Sequence, residues 1–70
     1  MKQEFPQRLQ KLRERRRMSR KALGELCGLS KNVIARYERG EREPSVGTLI
    51  ELADYFEVPV DYLLGRQNFL

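Results

Sequence analysis

The groups in this chain that could do chemistry are almost all cationic. Its 70 residues carry 14 Lys and Arg against 10 Asp and Glu, a formal net charge of +4. The distribution is uneven. Residues 1–42 hold 13 of the cations and 5 acids, a balance of +8, while residues 43–70 hold 1 cation and 5 acids, a balance of −4. A lobe of that sign suits a polyanion, because neutralised phosphates release counterions and the field steers encounter. A basic helix face that is merely solvated would have the same composition. The usual groups of catalysis are missing: the chain has no His, one thiol at Cys27, no carboxylate pair tied to a recognisable pocket and no glycine-rich phosphate loop. Neither a metal nor another cofactor is expected, and one cysteine forms no internal disulfide. Cys27 reads as a small, reduced, buried core residue.

These cations need a scaffold, and 70 residues give one small domain, 1–70, with a modest core. Prolines stand only at Pro6, Pro44 and Pro59, between runs of good helix formers, so an all-α fold is expected. The spacing predicts helices over about 6–16, 20–27, 31–39, 46–56 and 60–64. Phe5, Leu9 and Leu12 recur on one face of the first, and Leu49, Leu52, Ala53 and Phe56 on one face of the fourth. Arg13, Arg15, Arg16 and Arg17 close the first helix, either as partners of its negative end or as phosphate ligands. MKQEFPQR lacks the apolar stretch of a signal peptide, and no segment approaches a bilayer span, so the expected location is the cytoplasm.

The densest pattern runs from Arg20 to Arg39, RKALGELCGLSKNVIARYER. Leu23, Cys27, Leu29, Ile34 and Tyr37 fall where two helices crossing at a steep angle would face each other. Gly24 offers the small residue needed at a close crossing. Gly28 supplies a left-handed turn residue, Ser19 and Ser30 supply N-caps, and Gly40 ends the second helix of the pair. This is the pattern of a helix-turn-helix, which points to DNA.

The chain also resembles the Cro and phage-repressor type of helix-turn-helix domain, the Xre family, over roughly residues 8–64. Ile34, Tyr37, Glu38 and Gly40, followed by Arg42 and Pro44, match the segment that ends that family's recognition helix; LIELADYFEVPVDYLLG resembles its last two helices. The resemblance implies a compact five-helix bundle of the lambda-repressor-like DNA-binding type. It also implies a homodimer on an inverted repeat of double-stranded DNA, with the third helix in the major groove.

By the same resemblance, Lys31 and Asn32 match positions that reach base edges. Lys donates to guanine O6 and N7, and Asn pairs with adenine N6 and N7. Arg36 reads a guanine or holds a phosphate. Val33 touches a thymine methyl or serves as a partly buried spacer, and Ala35 lines the groove or simply permits close approach. Arg20, Arg39 and Arg42 match backbone-contacting positions, with surface solubility the other role for the last two. Relatives usually place Gln where Arg20 stands; Arg20 cannot accept a hydrogen bond and is expected to repel Lys31. Gly24 replaces the family's usual Ala at a cost of up to about 1 kcal/mol in helix propensity. Arg13 and Glu38 match a pair that aligns the recognition helix, unless they are two unrelated surface charges.

Two functions from different classes follow: a transcriptional regulator, most simply a repressor, or a protein-interaction module such as an antitoxin. The second rests on the apolar carboxy-terminal residues Tyr62, Leu63, Leu64, Phe69 and Leu70, which could receive a protein partner.

Overall fold

The computed structural model describes residues 4–68. Phe69 and Leu70, invoked above for a protein partner, lie outside them. Within the described residues the helices are α1 (Glu4–Arg15), α2 (Arg20–Cys27), α3 (Lys31–Glu38), α4 (Val46–Phe56) and α5 (Val60–Leu63). The boundaries depart from the sequence expectation at four places. α1 starts at Glu4, because Pro6 sits in the first turn, where helix amides have no intrahelical acceptor to lose. It ends at Arg15. α3 ends at Glu38, with Arg39 as its cap, and α5 ends at Leu63.

Three serines set the helix starts by the same local chemistry. Ser19, Ser30 and Ser45 are extended, and each side chain accepts from the amide three residues on: Ala22 at 3.0 Å, Val33 at 3.2 Å and Thr48 at 3.1 Å. The helix ends are less uniform. Gly28, at φ 69°, closes α2 with the Leu29 amide on the Gly24 carbonyl at 2.7 Å. Arg17 (φ 54°) and Glu57 (φ 56°) take the same left-handed conformation after α1 and α4 without being glycine.

α2 and α3 pack against each other, and α1 crosses behind α3 and against α5. Phe5, Leu9, Leu23, Ile34, Leu52 and Leu63 are the largest fully buried side chains, so every helix contributes to one core. Phe5 meets Tyr37 edge to face, with ring centroids 6.0 Å apart, which ties α1 to the back of α3. Tyr62 and Leu63 are core residues and Leu64 is half-buried against them. These three therefore serve their own fold. Cys27 is half-buried rather than buried, since it closes α2 at the edge of the core. Burial, reinforced by the charge of Glu51, pushes its thiol above the ordinary range.

Gly24 marks the closest approach in the helix-turn-helix. A Cβ there would lie 2.5 Å from the Leu29 carbonyl oxygen and 3.1 Å from the Ser30 carbonyl carbon, both backbone atoms that cannot swing aside. The glycine permits the tight turn into α3.

Candidate nucleic-acid interface

The outward face of α3 follows from what its inward face must bury. Ile34, Tyr37 and Glu38 are buried, and at 3.6 residues per turn the opposite side carries Asn32, Arg36 and Arg39, with Ala35 beside them. Lys31, Asn32, Arg36, Arg39 and Arg42 are exposed, while Ala35 is half-buried. Val33, which helical phase places outward and apart from the core, is instead half-buried and packs against it. The Ser30 cap fixes where the helix begins, so Lys31 and Asn32 occupy its first two positions.

Behind that face lies an ionic cluster. Arg13 donates from Nε to Glu38 Oε2 at 2.6 Å and from Nη2 to Glu38 Oε1 at 3.1 Å, while its Nη1 donates to the Met18 carbonyl at 2.8 Å. The Glu38 side chain is 1% exposed and that of Arg13 is 11% exposed. The hydrogen bonds to Glu38 hold the Arg13 guanidinium above its ordinary pKa, against the opposing effect of burial. This fixes the end of α3 to α1 through a planar, two-bonded fork.

Arg20 joins the same carboxylate: its Nε donates to Glu38 Oε1 at 3.0 Å. Arg20, expected to repel Lys31 when no DNA is present, thus also has a carboxylate partner on α3, which it shares with Arg13. The Arg20 side chain is 43% exposed, so it reaches solvent at the start of α2 while anchored behind. No sequence spacing marked this contact, since Arg20 and Glu38 are 18 positions apart.

The arginine run that ends α1 divides in an unexpected way. Arg13 is spent on Glu38. Arg16 lies over the Tyr55 ring at 5.1 Å and the Phe56 ring at 5.5 Å, with Glu57 at 3.8 Å. Arg15 and Arg17 are exposed. Arg8, which the sequence did not single out, bonds the Tyr62 carbonyl at 2.7 Å, the Gln67 carbonyl and Asn68 Oδ1 at 3.1 Å, and lies 4.5 Å over the Tyr62 ring. It fastens the segment after α5 onto α1. Among the described residues no group of His, Cys, Asp and Glu could hold a metal ion, and no helix is long and apolar enough to cross a membrane.

Five helices of this order, with an N-capped, polar-faced helix at the surface, define a DNA-binding helix-turn-helix domain of the lambda-repressor-like class. The helix-turn-helix family signature matches residues 9–63, and the chain belongs to that family, in its Xre/Cro-type branch. It is 42% identical over 61 residues to the HTH-type transcriptional regulator AnsR of Bacillus subtilis, covering 87% of this chain and 53% of AnsR. With the HTH-type transcriptional regulator ImmR of the same organism it shares 33% over 61 residues, 87% of this chain and 48% of ImmR. The chain thus spans about half the length of these relatives. Among solved structures, the P22 c2 repressor in complex with a synthetic operator superposes with a TM-score of 0.86 at 30% identity, over 94% of this chain and all of that one.

Proposed function

We propose that this chain is a sequence-specific double-stranded DNA-binding domain of a transcriptional regulator, acting as a repressor that occupies an inverted-repeat operator as a homodimer. The observation that carries this reading is the α3 surface: an exposed row of Lys31, Asn32, Arg36 and Arg39 on a helix capped at Ser30 and locked from behind by Glu38. Lys31 and Asn32 read base edges, Arg36 reads a guanine or a nearby phosphate, and Ala35 allows close approach to the groove wall. Arg20, Arg39 and Arg42 hold phosphates, which position the domain but carry no sequence information. Arg13, Glu38, Gly24 and Gly28 hold the helix-turn-helix in shape.

The mechanism is occupancy, with no bond made or broken. Binding measured against salt by fluorescence anisotropy tests it. If each half-site neutralises about four phosphates, the dimer gives a slope of log affinity against log salt of about −7. Replacing Asn32 with Ala should cost about 1–3 kcal/mol at particular base pairs and relax preference there only. A slope near zero, or an Asn32→Ala loss shared equally by all sequences, would refute these roles.

A further inference from the structure

Arg39 does not stand free on the proposed DNA face. Its Nε donates to Glu41 Oε2 at 3.1 Å and its Nη2 to Glu41 Oε1 at 3.2 Å, so the carboxylate occupies one whole edge of the guanidinium. That two-oxygen contact is the geometry a phosphate would take. The turn holds the two residues together. Gly40 is left-handed at φ 74°, the Gly40 amide bonds the Tyr37 carbonyl at 3.1 Å, and the Glu41 amide returns to the Arg36 carbonyl at 2.9 Å. Both side chains are about half exposed, at 56% and 51%, so the pair is weak enough for a competing anion to replace.

Arg20 shows the contrast. Glu38 is already shared with Arg13, so the three residues keep a net positive charge, and Arg20 contributes only Nε to the cluster. Arg39 and Glu41 bring one charge of each sign to their pair. Of these two arginines, Arg20 is therefore presented with its charge intact and Arg39 is masked.

We propose that Glu41 sets the affinity of this domain: its carboxylate occupies Arg39 in the free protein, and a DNA phosphate must displace it. The inference rests on the reading of Arg39 as a phosphate contact. Because phosphates are alike in every sequence, Glu41 lowers binding to all duplexes together rather than changing which base pairs are preferred.

The test is a double-mutant cycle with Glu41→Gln, Arg39→Gln and the pair of changes together, read as dissociation constants on a scrambled duplex and on a selected one across a salt series. Both positions are exposed, and circular dichroism confirms the fold of each variant. Glu41→Gln should tighten binding to both duplexes by about 1.5- to 5-fold per bound subunit, the range spanned by exposed ion pairs. Arg39→Gln should weaken both and reduce the salt slope by about one per subunit. In the Arg39→Gln background, Glu41→Gln should add no gain. An equal gain in both backgrounds would mean a long-range charge effect and overturn the proposal. No gain from Glu41→Gln, with Arg39→Gln still weakening binding, would overturn it and leave the phosphate contact standing. Arg39→Gln binding as tightly as the native chain, with an unchanged slope, would remove that contact and the proposal with it.

Discussion

Glu38 is the most consequential single polar residue in this fold, and its replacement by Gln should show that. The change is isosteric, so it opens no cavity and isolates the charge. It leaves Arg13, whose side chain is 11% exposed, without the anion that accepts two of its hydrogen bonds, and it releases Arg20. Removing one partner of a buried pair costs about 3–5 kcal/mol. Because Arg20 reaches solvent and Gln can still accept a bond, the lower end, about 3 kcal/mol, is expected. A domain of this size has about 4–10 kcal/mol of total stability, so Glu38→Gln should remove roughly a third to three quarters of it. The midpoint of thermal unfolding should fall by about 12–24 °C. Arg20→Gln, which removes one half-exposed bond while Arg13 keeps Glu38 paired, should cost less than about 1 kcal/mol. Urea unfolding followed by far-ultraviolet circular dichroism measures both variants on one scale. If Glu38→Gln falls within 1 kcal/mol of the native chain, or if Arg20→Gln costs as much as Glu38→Gln, the reasoning from burial and sharing is refuted.

Other substitutions test other parts of the account. Gly24→Ala should destabilise the fold by about 1–3 kcal/mol despite the better helix propensity of Ala, because its Cβ meets the backbone of Leu29 and Ser30; a more stable variant in urea unfolding would contradict the close crossing. Ser30→Ala should cost about 1 kcal/mol, and Ser30→Gly only a few tenths, on the same unfolding curves. No loss from Ser30→Ala would show that the hydroxyl does not cap α3. The Cys27 thiol has its pKa raised on folding, so the stability it contributes is present below the unfolded thiol's pKa and is lost as pH rises through the folded value. Labelling with a disulfide reagent should accordingly be slower in the folded chain than in urea and show a higher pH midpoint; identical midpoints would refute the burial effect.

What the sequence made legible was what is local. Ser19 and Ser30 announce helix starts because a hydroxyl three residues before an amide reaches it in any protein, and Gly28 announces a left-handed turn because few other residues take that conformation without strain. The apolar spacing of Leu23, Ile34 and Tyr37 gave the facing surfaces of α2 and α3. The left-handed conformation of Arg17 and Glu57 was not legible, since nothing in an arginine or a glutamate marks it for φ near +55°; local cap bonds accompany it, the Met18 amide to the Arg13 carbonyl at 3.2 Å and the Val58 amide to the Ala53 carbonyl at 3.0 Å. The bond from Arg20 to Glu38 and the clamp of Arg8 on residues 62–68 join positions 18 and 54–60 apart, so they exist only once the helices are assembled. The pairing of Arg39 with Glu41 is close in sequence yet depends on the turn at Gly40, which a reading of α3 alone does not supply.

The central claim is that α3 reads DNA sequence for a domain that binds as a pair. Selection of bound duplexes from a randomised library at near-physiological salt, followed by sequencing, tests it most directly. The account predicts enrichment of an inverted repeat whose half-site centres lie about one helical turn apart, 10–10.5 base pairs. A bound pool with the same base composition at every position as the input library would contradict it.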